Sequence, residues 1–389
     1  MDLARTSIWA LLYRIGGMFF WVVIGVITAR ALSVDDRGNY STSVTVIAGL
    51  GGIGASFAAS SGYFVSNQKR HAAEVASNTM VLSFVVSVAL LLISMVVAFF
   101  LHGEARFLTV LVGLAMFPGV ARSGIAGIFL ATDEVGRYSI AAYAPPAAGA
   151  VTVIIWVVLM QHRTAEAALA AWVAGQYLAL AIAVAIGWRW WWWMREHRPD
   201  LELMRRILRF GAMIGVVASV GLVSARVGQL LVIGIDGSNG AGIYASATAL
   251  GEGVLFFAAA VATASYGQIG SLPRAEASAL TARAVRHATM VSVALAVVLI
   301  ALAPVLITVL FGERYAGATG SLRVLSIGAL VVAPYVVLVN YFTVQLGRPH
   351  LLLWLTILSG VINIGLCLLL IPRIGYLGAA WAATIPHGL

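Results

Sequence analysis

Charged residues are scarce in this 389-residue sequence: Asp, Glu, Lys and Arg make up only 10% of it, against about 25% in an ordinary soluble domain. Hydrophobic residues make up 61% and the mean hydropathy is +0.97. A water-soluble protein is therefore excluded. The 10 prolines and 40 glycines are scattered rather than periodic. Because the apolar stretches are long rather than alternating, fibrous, disordered and outer-membrane barrel classes are excluded as well.

Cysteine is almost absent, and this excludes an intramolecular disulfide. Cys367 is the one cysteine and lies inside an apolar run, where a packing role is the simplest interpretation. The formal charge of +9 could indicate a nucleic-acid partner. However, the basic residues are dispersed between apolar runs and form no continuous basic face. We therefore expect no nucleic-acid partner. The distribution of the basic residues indicates membrane topology instead.

Long apolar runs are what the sequence does contain. A helix needs about 20 apolar residues to cross the hydrocarbon core of a bilayer. Runs of that length predict an all-α, polytopic helical membrane protein with about twelve transmembrane helices, the last of them incomplete. The predicted spans lie near 7–29, 41–65, 77–100, 107–131, 139–160, 167–188, 210–235, 243–270, 286–311, 320–346, 350–371 and from 376 to the end.

The longest polar break separates the first six spans from the last six. It carries a tryptophan cluster, and such rings favour the headgroup level of a membrane. We divide the chain into an N-terminal six-helix bundle (1–188), a cytoplasmic or interfacial linker (189–209) and a C-terminal six-helix bundle (210–389). An internal echo supports a duplication, since Gly38-Asn39-Tyr40-Ser41 and Gly242-Ile243-Tyr244-Ala245 fall at corresponding points of the halves.

The distribution of basic residues predicts the orientation. With the N-terminus in the cytoplasm, about twice as many Lys and Arg residues lie in cytoplasmic loops as in external ones, as positive-inside topology requires. The first run follows Arg5 but exceeds a signal-peptide core and lacks a small-residue cleavage site. It therefore predicts a permanent span.

Four ionisable side chains lie deep inside predicted spans, where each costs roughly 2.5–3.5 kcal/mol on insertion scales. Arg14 lies in span 1 and Arg122 in span 4, at similar depths, whereas Arg226 in span 7 and Glu252 in span 8 share another depth. In a structural interpretation Arg226 pairs with Glu252, while Arg14 and Arg122 bind backbone carbonyls or extend to the interface. In a functional interpretation, the three arginines give a water-filled cavity a net positive lining that binds phosphate oxygens.

Pro118 interrupts span 4 one turn before Arg122, and it is a candidate hinge. A bend there would expose freed backbone carbonyls beside the arginine. Pro145 and Pro146 in span 5 and Pro334 in span 10 are interpreted by default as packing kinks.

Signatures of catalysis are sparse. No histidine pair has the i, i+4 spacing of a metal site, and no nucleotide-binding or nucleophile-elbow motif occurs. The external loops have only a few residues, too few for the catalytic surface of a membrane glycosyltransferase. We therefore expect a protein that is not an enzyme and uses no metal or cofactor.

Several motifs resemble polysaccharide-export flippases, which include the O-antigen flippases, of the multidrug/oligosaccharidyl-lipid/polysaccharide exporter superfamily. The order and spacing of these motifs along nearly the whole chain carry the resemblance. They are Thr28-Ala29-Arg30-Ala31-Leu32, Asp35-Asp36-Arg37-Gly38-Asn39-Tyr40, Leu203 to Gly211, Phe311-Gly312-Glu313-Arg314-Tyr315, Gly347-Arg348-Pro349, Asn363 and Ile371 to Thr384.

This resemblance implies two six-helix bundles around a central cavity with alternating access. It also implies transport of an oligosaccharide on polyprenyl pyrophosphate to the external leaflet of the bacterial cytoplasmic membrane. Arg14, Arg122 and Arg226 are then candidate substrate-binding residues, Glu252 is a candidate for coupling or gating, and Pro118 is the candidate hinge. The expected partners are lipid-linked oligosaccharide, membrane lipids, and the polysaccharide polymerase and glycosyltransferases of one pathway.

Two alternatives stay open. A multidrug exporter of the same superfamily usually recognises cations through buried carboxylates, whereas Asp and Glu in the first half of this chain map to span ends or loops. A non-transport membrane component of polysaccharide assembly is the other alternative. The sequence also departs from many relatives, which have an acidic residue in span 7 near the position of Gln229.

Overall fold

A computed structural model describes the backbone of residues 3–66, 71–132, 134–188, 197–342, 346 and 349–387. Some side chains within these ranges are not described, including those of 3–15 and 216–225. The described backbone is helical, with no strand in it. The all-α fold predicted from the apolar runs is confirmed.

Thirteen α-helices are found in the described ranges, and they are joined by short turns. A π-helical segment, Ile154–Leu159, extends α5, and 3-10 turns occur at Glu313–Tyr315 and Ile385–His387. The helices are α1 (Leu3–Ala31), α2 (Val34–Ser66), α3 (Ala72–Phe99), α4 (Gly103–Ala131), α5 (Val135–Val153), α6 (Ala165–Ile186), α7 (Leu201–Ile235), α8 (Gly237–Gly251), α9 (Gly253–Ser271), α10 (Arg274–Phe311), α11 (Ala318–Asn340), α12 (Pro349–Ile374) and α13 (Tyr376–Thr384).

Nine stretches of the described chain are long and apolar enough to cross a membrane. Such helices satisfy their backbone hydrogen bonds internally, as a bilayer requires. α1 and α7 contribute shorter apolar stretches, Phe19–Ala31 and Arg226–Ile235. The protein is therefore a multi-pass helical membrane protein. The nine stretches are Val34–Val65, Ala72–Phe99, Gly103–Ala131, Gly136–Leu159, Ala165–Ile186, Gly237–Ala259, Arg274–Phe311, Ala318–Val339 and Trp354–Ile374.

Two helices differ from the predicted spans in an informative way. The span predicted over 243–270 is divided into α8 and α9, with Glu252 at the division. α7 begins at Leu201, inside the stretch predicted as a linker. Its first turns are amphipathic, because Leu203 and Ile207 are buried in a cluster with Phe57 while charged side chains face outward.

The described helices form two compact units that exchange segments. Unit 1 comprises Met1–Leu32 and Ser43–Val223, and unit 2 comprises Ser33–Thr42 and Ser224–Leu389. α2 therefore begins in unit 2 and continues in unit 1, whereas α7 begins in unit 1 and ends in unit 2. The predicted bundles, 1–188 and 210–389, are contiguous in sequence and do not contain this exchange.

In unit 1, small residues let the helix backbones approach closely. On α4, a Cβ atom at Gly127 would overlap the backbone of Ala58 on α2, and one at Gly124 would meet the Thr79 side chain at 2.5 Å. Ser61 adds a hydrogen bond across α2 and α4, donating to the Gly124 carbonyl at 2.9 Å. Such contacts are how helices pack where lipid offers no hydrophobic driving force.

In unit 2, the corner Ser33–Thr42 binds two other segments. The guanidinium of Arg37, which is buried, lies 4.9 Å from the Phe311 ring centroid and 5.2 Å from that of Tyr315. Ser238 donates to the Asp35 carboxylate at 2.8 Å. Burial raises the pKa of the Tyr315 hydroxyl, and Arg37 opposes this shift. Two motifs of the sequence resemblance, Asp35 to Tyr40 and Phe311 to Tyr315, thus meet in space.

The two echoed sequences also meet within unit 2. A Cβ atom at Gly38 would overlap the Ser238 carbonyl, and one at Gly242 would overlap the Val34 carbonyl. The same positions approach each other, since the Gly242 Cβ would lie 3.2 Å from the Gly38 nitrogen. The starts of α2 and α8 therefore cross at equivalent glycines, a crossing that only residues without a Cβ allow.

Candidate functional site

An ion pair between α7 and the end of α8 is the central feature of the candidate site. Arg226 Nη1 donates to Glu252 Oε1, and Nη2 donates to Oε2 at 3.1 Å. The pair is therefore bidentate, the geometry in which arginine binds carboxylates most strongly. The two side chains remain 35% and 38% exposed, so they are accessible from outside unit 2 rather than sealed in its core.

Glu252 lies inside the apolar span Gly237–Ala259, at a one-residue turn between α8 and α9 that keeps helical backbone angles and that we call the helix break. α8 ends at Gly251 and α9 begins at Gly253, while the Glu252 N–H donates to Thr248 and its carbonyl accepts from Leu255, both at 3.0 Å. Interrupted helices occur at membrane depth where the backbone is covered by protein or lines a water-filled space, and such breaks often form ion and substrate sites. The break therefore places a charged pair where a polar ligand could reach it.

Gln229 lies one turn after Arg226 on α7 and joins other helices of unit 2. Its buried amide donates to the Ala241 carbonyl at 3.1 Å and lies 3.2 and 3.3 Å from the hydroxyls of Ser41 and Thr42. One neutral side chain thus joins the starts of α2 and α8 to α7. Many relatives have an acidic residue near this position, whereas the neutral Gln229 crosslinks helices within unit 2.

We expect Gln229→Met to destabilise the protein by about 1–3 kcal/mol, because an apolar side chain of similar length removes the hydrogen bonds that this amide donates, including the one to the Ala241 carbonyl. The measurement is thermal unfolding of the purified protein in detergent. Thr289→Val is a suitable control, since the Thr289 hydroxyl bonds only within its own helix, to Val285 at 2.8 Å. Equal melting temperatures for Gln229→Met and the wild type would contradict this role.

Arg122 lies on α4 in unit 1, and its contact is described within that unit. Its Nη1 donates to the Ala141 carbonyl of α5 at 2.8 Å. Its Nε is buried and has no hydrogen-bond partner among the described residues. The structure therefore places Arg122 against a backbone carbonyl, as in the structural interpretation of the sequence.

The remaining predicted site residues, Pro118 and Arg14, belong to unit 1. Pro118 is inside α4 and buried, one turn before Arg122. Arg14 lies on α1, but its side chain is outside the described residues. In the part of the chain that is described, no three His, Cys, Asp or Glu side chains are grouped as metal ligands.

Sequence reasoning did not predict the crosslink made by Gln229, and it missed Tyr177 and Arg323 altogether. Tyr177 Oη donates to the Leu114 carbonyl at 3.1 Å, and Arg323 Nε donates to the Ile300 carbonyl at 3.2 Å. The sequence does contain a proline four positions after each acceptor residue, Pro118 after Leu114 and Pro304 after Ile300. The donors themselves come from other helices and leave no local pattern.

Comparison with known families identifies the chain. The sequence profile of the polysaccharide biosynthesis protein family matches residues 3–272, which is more than half of the chain. A search of curated proteins gives no significant match.

The solved structures that match nearly the whole chain include transporters and a flippase. An inward-facing multidrug resistance MATE family transporter of the MOP superfamily aligns with a TM-score of 0.74 at 18% identity, covering 98% of this chain and 94% of that one. The lipid II flippase MurJ in an inward closed conformation aligns with a TM-score of 0.80 at 13% identity, covering 98% and 85%. A MOP superfamily transporter from Pyrococcus furiosus, described as having a binding pocket of reverse polarity, aligns with a TM-score of 0.58 at 16% identity, covering 99% and 91%.

The family match and the fold agree with the motifs found in the sequence. The profile covers both the corner Ser33–Thr42 and the Arg226–Glu252 pair. The chain therefore belongs to the polysaccharide biosynthesis protein family and has the fold of the MOP-superfamily transporters and flippases.

Proposed function

We propose that this protein flips a polyprenyl-pyrophosphate-linked oligosaccharide from the cytoplasmic to the external leaflet of the bacterial cytoplasmic membrane. Its N-terminus lies in the cytoplasm, and the flipped lipid supplies the polymerase and glycosyltransferases of cell-surface polysaccharide synthesis. The observation that carries the proposal is the bidentate Arg226–Glu252 pair at a helix break within an apolar span. That pair belongs to a chain of the polysaccharide biosynthesis protein family.

The chemistry of the pair suits a pyrophosphate group. A guanidinium carries five N–H donors in a planar fork that matches phosphate oxygens. Glu252 takes two of these donors, and no other acceptor for Arg226 is found among the described residues. A phosphate can therefore bind the remaining donors or displace the carboxylate. In this mechanism, the pair opens when the headgroup binds and closes when it leaves, with Glu252 as the gating residue.

The lipid part of the substrate is supported by the fold. One solved structure of the same fold is named as a lipid II flippase, and a lipid tail can stay in the bilayer while its headgroup crosses. Arg14 is proposed as a further cation on the path of the headgroup. Arg226 is the primary candidate, because Arg122 is already bound to a backbone carbonyl.

A cation exporter is the alternative function, since other solved structures of this fold are multidrug transporters. Glu252 is a carboxylate well inside the apolar span Gly237–Ala259, and both its oxygens accept hydrogen bonds from Arg226. A paired carboxylate offers little net negative charge to a cation. This observation favours an anionic substrate.

The proposal is tested by depleting the protein in its host and measuring lipid-linked oligosaccharide in each leaflet. We expect intermediates to accumulate in the cytoplasmic leaflet and wild-type protein to clear them. Arg226→Gln should fail to clear them at equal membrane abundance. Purified protein in vesicles should move a fluorescent polyprenyl-pyrophosphate sugar between leaflets without other proteins.

Arg137→Gln is the matched control, because Arg137 pairs with Glu134 at 2.9 Å and the two are similarly exposed, at 36% and 30%. That pair lies at the start of α5, outside the break, so its loss should leave transport unchanged. If depletion causes no accumulation and instead lowers efflux of organic cations, the exporter function replaces this proposal. Accumulation that Arg226→Gln clears as well as the wild type would exclude Arg226 from the site.

A further inference from the structure

Prolines inside the helices leave specific backbone carbonyls without their helical donors. A proline at position i lacks the N–H that would donate to the carbonyl of residue i−4. A bilayer offers no water to such a carbonyl, so a side-chain donor from another helix stabilises it. Pro118 in α4 frees the Leu114 carbonyl, Pro145 in α5 frees that of Ala141, and Pro304 in α10 frees that of Ile300. Three other helical prolines, Pro146, Pro334 and Pro372, free carbonyls for which no side-chain donor is found among the described residues.

Each of these three carbonyls accepts a hydrogen bond from a side chain on a neighbouring helix. Tyr177 of α6 donates to Leu114 at 3.1 Å. Arg122 of α4 donates to Ala141 at 2.8 Å. Arg323 of α11 donates to Ile300 at 3.2 Å. In all three cases the acceptor lies four residues before the proline, although the donor residues and the helices differ.

We infer that Tyr177, Arg122 and Arg323 are positioning residues that join neighbouring helices at proline-freed carbonyls. Each proline with its acceptor and donor forms what we call a proline–donor joint. The joint converts an unsatisfied group in one helix into a directed contact with the next. A charged or polar side chain is thereby retained in an apolar span without any contact with substrate.

The joints connect helices into larger bodies within each unit. In unit 1, α4 accepts a hydrogen bond from α6 at Leu114 and donates one to α5 through Arg122. The helices α4, α5 and α6 are thus linked through two joints. In unit 2, α10 and α11 are linked through Arg323. Each linked set should move as one piece, whatever the substrate is.

For Arg122 this inference selects the structural interpretation of the sequence, in which the side chain binds a backbone carbonyl. Its Nη1 is bound to Ala141 and its Nε is buried, so its position is explained by Pro145 rather than by a ligand. Pro118, the candidate hinge, is the proline of the joint in which Tyr177 is the donor. The joints stand independently of the proposed transport reaction.

The test is a double-mutant cycle read by thermal unfolding of the purified protein in detergent. Tyr177→Phe should lower the melting temperature in the wild-type background. In the Pro118→Ala background the new alanine restores the helical N–H, so Tyr177→Phe should lower the melting temperature by less than half as much. Arg122→Met with Pro145→Ala and Arg323→Met with Pro304→Ala should show the same coupling.

The controls combine a donor substitution from one joint with a proline substitution from another. Tyr177→Phe combined with Pro304→Ala should be additive, because these residues belong to different joints. Ser61→Ala should show no coupling to any proline, since its acceptor Gly124 keeps the helical donor at position 128. Additive effects in all three matched pairs would overturn the inference. For Arg122, loss of transport at an unchanged melting temperature in both backgrounds would also overturn it and assign that arginine to substrate binding.

Discussion

Arg226→Met is expected to lower transport of a polyprenyl-pyrophosphate sugar by roughly 10- to 150-fold. A hydrogen bond to a charged group contributes about 1.5–3 kcal/mol, and each 1.4 kcal/mol corresponds to a factor of ten. The variant leaves Glu252 at the helix break without its partner. Vesicle transport measured at equal protein content gives the ratio directly.

The stability of the same variants separates structure from transport. Breaking a fully buried pair costs about 3–5 kcal/mol, whereas an exposed pair contributes about 0–1 kcal/mol. With side chains about one-third exposed, we expect Arg226→Met or Glu252→Gln to cost an intermediate amount, about 1–3 kcal/mol. Combining Arg226→Met with Glu252→Gln should recover much of this stability, since neither charge remains.

Exchanging the charges makes the test decisive. The double variant Arg226→Glu with Glu252→Arg keeps an ion pair but moves the guanidinium to the helix break. If Arg226 binds phosphate, this variant should fold and remain inactive. Recovery of transport would show that the pair has only a structural role. Unchanged transport and pH dependence in Glu252→Gln would remove Glu252 from the gating mechanism.

Gly38→Ala is expected to prevent stable folding, with a cost of at least about 3 kcal/mol, the upper range for overpacking. The added methyl would overlap the backbone carbonyl of Ser238 and lie 3.0 Å from the Gly242 nitrogen. Backbone atoms cannot rotate away as a side chain can. Gly242→Ala should have the same effect, because its methyl would overlap the Val34 carbonyl.

Gly365→Ala is the control for this experiment. Gly365 lies inside α12, and a Cβ atom there would meet nothing within 4 Å. Alanine is the better helix former by roughly 1 kcal/mol, so this substitution should leave the protein as stable or make it more so. The measurements are the monodisperse yield from membranes and the melting temperature. A Gly38→Ala protein with normal yield and melting temperature would contradict the close crossing.

The membrane-spanning helices could be predicted from the sequence because a bilayer imposes both their length and their hydropathy. The pairing of Arg226 with Glu252 could be expected too, since successive spans place the two residues at one depth. Orientation and substrate remain predictions. The exchange of Ser33–Thr42 between units could not be predicted, because hydropathy reports burial in lipid and not which helices pack together.

The proline–donor joints also show that the sequence does not reveal which residues of different helices meet. Pro118, Pro145 and Pro304 identify in the sequence which carbonyls lose their donors. They do not identify the donors, because Tyr177 is 63 residues from Leu114 and Arg323 is 23 residues from Ile300. Gly38 and Gly242 were visible as an echo, but their contact follows only from the folded chain.

The corner Ser33–Thr42 has a consequence for how the protein is made. Its partners Ser238, Phe311 and Tyr315 are synthesised long after it. At about 5–20 residues per second, Tyr315 follows Arg37 from the ribosome by roughly 15–55 seconds. During that interval Arg37 lacks the Phe311 and Tyr315 rings that it contacts in the finished protein. The corner Ser33–Thr42 can therefore complete its packing only after the carboxy-terminal spans have been inserted into the membrane.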